Sequence, residues 1–399
     1  MDCALVRYHE IALKRGNRSY FIEHLKRNIR AALKGLGLKE IRNVSSRLLL
    51  VFNHEVSSDE VATRLKAVFG IANFSLVHRV ENDIKVIGVR VLEALEGISF
   101  KSFRIETKRA DKQFPLSSYE INCELGARVQ EKFGAQVDLT HPEVTVSLEM
   151  LPQHAFLSFE RLGGPGGLPV GVSGRVVSLI SGGIDSPVAS YRIMQRGCRV
   201  IYVHFHSSPF LDKSSQEKVR ELVKILTRHQ FVSRLYLVPF GEIQRQIVAS
   251  VLRPLRVVLY RRMMLRIASS IAKKERAQAL VTGESLAQVA SQTLGNLAVI
   301  EDAAQLPVLR PLIGMDKQEI VDQAMRLDTF ETSARPDQDC CQLFMPRHPA
   351  IHARLSEVQD AEQNLEIEEL TRFGTAGAEL ERFHFPKPVL ESTAATESQ

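Results

Sequence analysis

The sequence predicts an α/β protein in which small α+β layers precede a doubly wound parallel sheet. Three observations support this fold class: a strand–helix–strand pattern at the N-terminus, a run of glycine and proline at residues 163–171, and apolar strands alternating with helices beyond that run. Apolar strands separated by helices are typical of a parallel sheet covered on both faces. Because the chain has 399 residues, we expect two or three domains.

Residues 1–55 combine two short strands with one helix. Apolar residues recur at every fourth position from Phe21 to Leu33, which forms one face of a helix predicted from about Asn17 to Leu36. Strands are predicted at Cys3–Arg7 and Leu48–Phe52. A strand, a helix and a strand of this size indicate a small α+β layer.

Residues 56–162 repeat this mixture of helices and strands. Alternating side chains predict strands here, and apolar side chains at helical spacing predict helices. The predicted helices are Val61–Val68 and Ile121–Phe133, and the predicted strands are Asp83–Val91, Ser102–Lys108, Val137–Leu139, Glu143–Leu148 and Ala155–Phe159.

Residues 163–171 contain five glycines and two prolines, which cannot form a helix interior or a central strand. We interpret them as a domain linker, because the pattern changes beyond them. Residues 351–380 are predicted to be a helical extension, and the Ser-, Thr-, Ala- and Glu-rich residues 381–399 a disordered tail. The strands predicted after the linker are Val176–Ile180, Val200–Phe205, Leu235–Pro239 and Ala279–Thr282, and the helices are Ser186–Arg196, Ser215–His229 and Glu242–Lys274.

The composition narrows the class of protein. A formal net charge of +6 and a sequence pI of about 9.0 favour polyanionic partners. The five cysteines are odd in number and two are adjacent, which is not a disulfide framework and indicates a reducing compartment. The N-terminal residues lack an apolar signal-peptide core, and no apolar run is long enough for a membrane helix. We therefore expect a cytoplasmic protein.

The stretch Ser181-Gly182-Gly183-Ile184-Asp185-Ser186 follows an apolar strand and precedes a predicted helix. Its glycines let backbone N–H groups approach a phosphate, and the helix N-terminus adds positive partial charge. Asp185 would repel a bare phosphate, so we expect it to bind Mg²⁺ or to orient the loop. The stretch lacks the Gly-Lys-Ser/Thr of a Walker A loop. It resembles the PP-loop of ATP pyrophosphatases, and the alternative is a plain Gly-Gly turn.

Two further stretches fit a nucleotide site. Tyr202–Phe205 ends the next strand, at the edge where open α/β sheets bind ligands. Leu280–Thr293 is predicted to be a strand, a glycine turn and a polar helix start. The alternatives are an ordinary strand-end histidine at His204 and a helix cap at Thr282 or Ser285.

Several separate stretches occur together in one order. They are Arg7–Lys14 with Asn17-Arg18, Gly164–Gly171, Ser181–Pro187, Thr282–Ser285 with Ala290–Thr293, Val308–Lys317 and Asp339–Cys341. In this order they resemble the ThiI-type tRNA sulfurtransferases, the tRNA 4-thiouridine synthetases, over residues 1 to about 350. The resemblance implies a ferredoxin-like domain at residues 1–55, a THUMP RNA-binding domain at 56–162 and a PP-loop ATP pyrophosphatase domain at 172–350.

The resemblance also implies the substrates and partners. These are ATP with Mg²⁺, a tRNA modified at uridine 8, a cysteine desulfurase as persulfide donor, and a second copy in a homodimer. Arg261 would otherwise be an ordinary solvated helix charge. The ATP-binding residues that the resemblance implies are Leu179, Ile180, Ser181, Gly182, Gly183, Asp185, Ser186, His204, Phe205, Arg261, Gly283 and Gln292.

The chemistry needs an activated oxygen and a sulfur nucleophile. The uridine O4 is a poor leaving group until AMP is attached, and Mg²⁺ with Lys317 could offset the charge of the departing pyrophosphate. A cysteine persulfide can then attack, and a neighbouring thiol can take up the carrier sulfur as a disulfide. Cys340 and Cys341 are the candidates because their flanks are polar. By resemblance to the family, the spacing from Arg310-Pro311-Leu312 favours Cys340 as the catalytic cysteine, with Cys341 close behind, and the resolving thiol stays open.

Each of these assignments has an alternative. Lys317 could be a plain helix-start lysine, and Cys340 and Cys341 could be two small buried apolar residues. Cys123 and Cys198 fit core positions.

Longer members of the resembled family carry a C-terminal rhodanese domain with its own cysteine. Only 58 residues follow Cys341 here, and none is a cysteine. We therefore expect a short form that takes sulfur directly from a cysteine desulfurase. Thiazole synthesis for thiamine, which the family ties to the rhodanese part, is not expected.

Basic side chains cluster in the first 112 residues and would contact RNA phosphates. The alternative for any single one is a solvated surface charge. Two other functions stay open at this point: an ATP-dependent ligase or amidating enzyme acting on a small molecule, and a non-catalytic RNA-binding protein. The clustered residues are Lys14, Arg15, Arg18, Lys26, Arg27, Arg30, Lys34, Lys101, Arg104, Lys108, Arg109 and Lys112.

Overall fold

The computed structural model describes residues 3–110, 113–336, 344 and 349–387. The chain divides into two compact units, Met1–Leu168 and Pro169–Gln399. The division falls inside the glycine- and proline-rich stretch at residues 163–171.

The N-terminal unit is built on a sheet that has nine strands within the described residues. The strand order is β2-β3-β1-β4-β8-β7-β5-β6, and β9 also pairs with β4. The pairing is antiparallel except that β5 runs parallel to β6 and β7. The strands are β1 (Cys3–Arg7), β2 (Leu38–Val44), β3 (Arg47–Phe52), β4 (Asn73–Glu81), β5 (Ser102–Arg109), β6 (Gln136–Val137), β7 (Val144–Met150), β8 (His154–Ser158) and β9 (Leu162–Gly163).

Four α-helices pack on this sheet in the described part of the N-terminal unit. The predicted apolar face of the first helix is confirmed, because Phe21, Leu25 and Ile29 are buried. The helices are α1 (Arg18–Ala32), α2 (Ser58–Leu65), α3 (Ile84–Leu95) and α4 (Ser118–Phe133), with a 3-10 turn at Glu10–Leu13.

The predicted strand at Asp83–Val91 is wrong, because these residues begin helix α3. The Asp83 carboxylate caps the helix by accepting from the backbone N–H groups of Lys85 and Val86 at 2.7 and 3.0 Å. Ile87, Val91 and Leu95 are buried at a spacing of four residues, which is the helical period. Several β-branched residues in this segment favour a strand locally, and the cap with the packing overrides that preference.

Strands β2 and β4 were not predicted. Strand β2 lies at a sheet edge, and Ile41 is the residue it buries, so its alternation is weak. Strand β4 is central, and its mixed polar sequence, which is only partly buried, pairs with β1 and β8. Both strands are therefore specified by their neighbours more than by their own patterns.

The C-terminal unit contains a sheet with the order β14-β13-β10-β11-β12-β15 among the described residues. Strands β10 to β14 pair in parallel with one another, which confirms the doubly wound fold class. The central β10 has β11 on one side and β13 on the other. The strands are β10 (Arg175–Leu179), β11 (Arg199–His206), β12 (Val232–Pro239), β13 (Ala279–Val281), β14 (Val308–Leu309) and β15 (Glu379–His384).

The helices of this unit cover both faces of the sheet. The segment predicted as one largely helical stretch, Glu242–Lys274, is divided by a 3-10 turn at Arg253–Leu255, because Pro254 cannot continue a helix. Across the described ranges, no helix is both long and apolar enough to span a bilayer. The helices are α5 (Asp185–Gln195), α6 (Ser214–Gln230), α7 (Gly241–Ser250), α8 (Arg256–Glu275), α9 (Leu294–Glu301), α10 (Lys317–Arg326), α11 (Phe330–Ala334), α12 (Leu355–Glu362) and α13 (Ile367–Ala376).

The prediction of a disordered tail from Glu381 onward is wrong for residues 381–384. They belong to β15, which runs antiparallel to β12 and forms the edge of the sheet. The Arg220 Nε donates to both Glu381 carboxylate oxygens, at 2.9 and 3.1 Å. The local sequence is charged and exposed, so the strand is fixed by its partner β12.

A buried charge network joins α8 to α9 and α12. Arg262 is 1% exposed, and its guanidinium pairs with Glu362 at 2.8 Å and with Asp302 at 3.1 Å. Arg266 pairs with the same Glu362 carboxylate at 2.6 Å. Burial raises the pKa of Glu362, but the hydrogen bonds and charges of the two arginines outweigh it and lower that pKa overall.

We expect Glu362→Ala to destabilise the C-terminal unit by about 3 kcal/mol, because it removes a principal counter-ion of the buried Arg262. Denaturant unfolding of the full chain measures this difference. The matched control is Glu357→Ala on the same helix, whose contact with Arg354 is exposed and 4.0 Å long. An equal effect of both substitutions would contradict the network's contribution.

We also expect the C-terminal unit to lose stability as the pH falls through the range of His206. Burial, with nearby positive groups, lowers the pKa of His206 from 6.5 to about 4. Between these values the unfolded state binds a proton that the folded state rejects, so stability rises with pH. His206→Gln removes this titration. When the pH falls from about 7 to about 4.5, the wild-type free energy of unfolding should decrease by roughly 2 kcal/mol more than that of the variant. Parallel pH profiles would contradict the assignment.

Candidate nucleotide site

A cavity of about 210 Å³ opens at the carboxyl edge of the C-terminal sheet. Ligands bind at this edge in open α/β folds, where the strand order reverses. The structure brings every predicted nucleotide-binding residue except Gly182 into the wall of this cavity. The lining residues are Leu179, Ile180, Ser181, Gly183, Asp185, Ser186, His204, Phe205, Arg261, Met264, Leu265, Thr282, Gly283, Glu284, Gln292, Ile300 and Arg310.

The loop between β10 and α5 is held in shape by its own serines. The Ser181 N–H donates to the Ser186 Oγ at 2.9 Å, and the Gly183 N–H donates to the Ser181 Oγ at 3.3 Å. Among the residues that the structure describes, no side chain caps the N-terminus of α5 at Ile184. Its first N–H groups are therefore free of a side-chain cap, as an anion-binding helix N-terminus requires.

Gly283 packs directly against the start of α5. A Cβ atom at residue 283 would lie 2.7 Å from the Ser186 backbone nitrogen and 2.8 Å from the Ser186 Cα. Backbone atoms cannot move aside as a flexible side chain could. Glycine is therefore required here for steric reasons, and the contact joins the end of β13 to the phosphate loop.

His204 connects the ends of two strands to a helix. Its Nδ1 lies 3.0 Å from the Ile180 carbonyl oxygen, and its Nε2 lies 3.4 Å from the Ser215 Oγ. Both ring nitrogens thus have protein partners, and the ring is buried. His204 contributes to the wall of the cavity and fixes Ile180 beside the loop.

The two charged residues predicted for the chemistry are paired with each other. The Lys317 Nζ lies 2.6 Å from the Asp185 Oδ1, and the Gln288 Nε2 donates to the Asp185 Oδ2 at 3.0 Å. Lys317 is the first residue of α10, which Asp316 and Glu319 cap reciprocally. This pairing places a lysine at the entrance of the phosphate loop, although Lys317 itself is not among the lining residues.

Glu284 and Arg310 were missed as site residues by the sequence prediction. The Glu284 Oε1 lies 2.6 Å from the Arg261 Nη1, and its Oε2 lies 2.7 Å from the Arg310 Nε and 2.9 Å from the Thr282 Oγ1. Burial lowers the pKa of Arg310, but its pairs with Glu301 and Glu284 outweigh it and raise that pKa overall. Their positions just after β13 and β14 are the pattern that could have identified them.

Gln292 presents an unused acceptor beside the cavity. The residue is 6% exposed, and among the described residues its Oε1 has no hydrogen-bond partner. A buried polar atom without a partner is costly in a protein interior. The feature therefore fits a ligand that brings a hydrogen-bond donor.

Cys340 and Cys341 lie outside the described residues. The chain on either side of them contacts the nucleotide site. The Ser333 Oγ donates to the Gly183 carbonyl oxygen at 3.4 Å, and the Thr293 Oγ1 donates to the Ile351 carbonyl oxygen at 2.9 Å next to Gln292.

The two cysteines assigned to core positions have different environments. Cys198 is buried as predicted, and burial raises the pKa of its thiol. The prediction is wrong for Cys123, which is exposed. Helix α4 buries Ile121, Leu125 and Val129, and Cys123 lies between these positions on another side of the helix.

Several basic residues of the N-terminal unit are exposed and are candidate contacts for RNA phosphates. Arg15, Arg27, Arg30 and Lys34 are exposed around or on α1, whose apolar face is buried. Lys101 and Lys108, at either end of β5, are also exposed, and Lys112 lies outside the described residues. Exposed cations of this kind can contact backbone phosphates without reading sequence.

Three family models match the chain in succession. The ThiI ferredoxin-like domain matches residues 3–75, the THUMP domain matches residues 79–160, and the ThiI model, described as a thiamine biosynthesis protein, matches residues 171–367. The first two matches lie within the N-terminal unit, and the third lies within the C-terminal unit.

Similar proteins cover nearly the whole chain. A probable tRNA sulfurtransferase from Thermus thermophilus is 49% identical over 385 residues, which are 96% of this chain and 95% of that protein. One from Moorella thermoacetica is 44% identical over 92% of this chain and 94% of that protein. A crystal structure of a 4-thiouridine synthetase–RNA complex with bound ATP has a TM-score of 0.88 and 36% identity, covering 96% of this chain and 100% of that chain. The chain therefore belongs to the tRNA sulfurtransferase family.

Proposed function

We propose that this chain uses ATP to convert uridine 8 of tRNA into 4-thiouridine. The observation that carries the proposal is the cavity in which the Ser181–Ser186 loop, Arg261 and the buried Gln292 meet. Family membership favours this activity over a small-molecule ligase, because the relatives are tRNA sulfurtransferases and the related crystal structure contains RNA and ATP. A tRNA substrate supports the cytoplasmic location that we expect from the sequence.

In the first step the uridine O4 attacks the α-phosphorus of ATP. The O4–phosphorus bond forms, the bond from that phosphorus to pyrophosphate breaks, and the uracil N3 proton passes to solvent. The loop N–H groups receive the departing pyrophosphate, and Arg261 and Lys317 oppose its negative charge. Asp185, an oxygen donor at the phosphate loop, fits a Mg²⁺ held together with the nucleotide, and Mg²⁺ would supply further charge neutralisation there.

In the second step sulfur displaces AMP. A persulfide on one cysteine attacks C4, the C4–O4 bond breaks, and AMP leaves. The thiol of a second cysteine then attacks the carrier sulfur, which releases 4-thiouridine and leaves a disulfide that a dithiol reductant reopens. We assign these roles to Cys340 and Cys341, with Cys340 the favoured carrier. The anchoring of Ser333 and Ile351 at the nucleotide site supports this assignment.

Three parts of the proposal follow from family resemblance. The N-terminal unit would bind the tRNA through its exposed basic residues, a cysteine desulfurase would load the persulfide, and the enzyme would act as a homodimer. Light scattering of the purified chain tests the dimer, and persulfide transfer from a purified desulfurase tests the donor.

The activity itself is tested with purified protein, unmodified tRNA, ATP and a persulfide source. We expect pyrophosphate release that depends on tRNA, together with retardation of the product tRNA in a mercury-containing gel. Absence of both from the wild-type protein would refute the proposed function.

We expect Gly283→Ala to lower ATP-dependent pyrophosphate release by 100-fold or more, on the order expected when groups that stabilise charge are misplaced. The added methyl group must displace the Ser186 backbone and with it the phosphate loop. Gly295→Ala is the matched control, because its Cβ would meet no atom within 4 Å. Equal activity of the two variants would show that the loop does not depend on the contact.

We expect Cys340→Ala and Cys341→Ala to abolish 4-thiouridine formation while tRNA-dependent pyrophosphate release continues, because the thiols act after adenylation. Cys123→Ala, at an exposed position of the N-terminal unit, is the control and should keep full activity. If both adjacent variants still thiolate tRNA at the wild-type rate, the sulfur-carrier assignment is wrong.

A further inference from the structure

Arg310 is held between two carboxylates at the end of β14. Its Nε donates to the Glu284 Oε2 at 2.7 Å, and its Nη1 donates to the Glu301 Oε2 at 2.6 Å. The side chain is 12% exposed, and its Nη2 has no hydrogen-bond partner among the described residues. The guanidinium is thus fixed in orientation with one amino group unused.

Glu284 links this arginine to Arg261. Its two oxygens bind different guanidinium groups, at 2.6 and 2.7 Å, and the carboxylate is itself buried. Among the residues that line this wall, two guanidinium groups share the single carboxylate of Glu284, while Glu301, the other partner of Arg310, does not line the cavity. An entering nucleotide would find two oriented arginines instead of one.

The strand order separates the walls of the cavity. The phosphate loop follows the central β10, and the neighbouring β11 carries His204 and Phe205 near its carboxyl end. Arg310 follows β14, on the opposite side of β10. If the loop receives pyrophosphate and the β11 side receives the nucleoside, the arginine wall lies on the other side of the loop and lines the same cavity as both.

We propose that Arg310 stabilises the charge at the α-phosphate during adenylation, and that Glu284 is a positioning residue that orients both Arg310 and Arg261. This inference rests on the proposed function. As the uridine O4 bonds to the α-phosphorus and the bond to pyrophosphate breaks, negative charge collects on the non-bridging oxygens. A guanidinium held there in advance would stabilise the transition state more than bound ATP.

The test compares tRNA-dependent pyrophosphate release by wild type, Arg310→Gln and Arg310→Lys. We expect Arg310→Gln to lower kcat by about 100-fold with a KM for ATP within about threefold of wild type, because the contact forms mainly in the transition state. Arg310→Lys keeps the charge without the planar fork and should lose about tenfold. Glu284→Gln should both lower kcat and raise KM, since Arg261 loses its partner too.

Arg266→Gln is the matched control. It also removes one of two arginines from a buried carboxylate, Glu362, and it lies outside the cavity wall. We expect Arg266→Gln to change the melting temperature by about as much as Arg310→Gln does, and to leave kcat and KM at their wild-type values. If Arg310→Gln melts well below this control, Arg310→Lys decides, and a wild-type kcat in that variant overturns the inference.

The outcomes separate this inference from the function on which it rests. A wild-type kcat in Arg310→Gln, or a rise in KM alone, overturns the role of Arg310 while wild-type turnover stands. A wild-type protein that releases no pyrophosphate with tRNA overturns both.

Discussion

The close packing of Gly283 on the first turn of α5 is the contact on which the nucleotide site depends. It brings the end of β13 against the loop after β10, so the residues that follow β13 face the same space as the phosphate loop. Glu284 comes next in the chain and collects two arginines from α8 and the end of β14. Because Gly283 has no side chain, the end of β13 can approach the phosphate loop closely enough for Glu284 and its two arginines to line the same cavity.

Buried carboxylates shared by two arginines recur in this molecule. Glu284 forms ion pairs with Arg261 and Arg310, and Glu362 forms them with Arg262 and Arg266. In the N-terminal unit, Glu149 pairs with Arg7 and Arg47. The adjacent residues Arg261 and Arg262 of α8 have different surroundings. Arg261 lines the nucleotide cavity, and Arg262 pairs with Glu362 of α12. The ion pairs of Arg262 with Glu362 and Asp302 thus fix the orientation of α8, and with it the direction in which Arg261 points.

Much of the C-terminal unit could be predicted from the sequence, because its strands are continuous apolar runs and its glycine loop has a distinctive spacing. All the predicted nucleotide residues but Gly182 meet in one cavity for the same reason: parallel strands present their carboxyl ends together. Glu284 and Arg310 escaped prediction because their roles come from a shared ion pair between residues 26 positions apart. Helix α3 and strand β15 were misassigned because a cap and a partner strand decided their conformation.

Strand β15 closes one side of the C-terminal sheet. It covers the hydrogen-bonding groups of β12 along six paired residues, from Val232 opposite His384 to Leu237 opposite Glu379. Its own outer edge carries glutamate and arginine in a short, charged segment, which discourages further strand addition. Truncation of the protein before residue 379 would expose the edge of β12, a long and mostly apolar strand, to other chains. Strand β15 thus protects the edge of β12 against aggregation through strand pairing, a role distinct from catalysis.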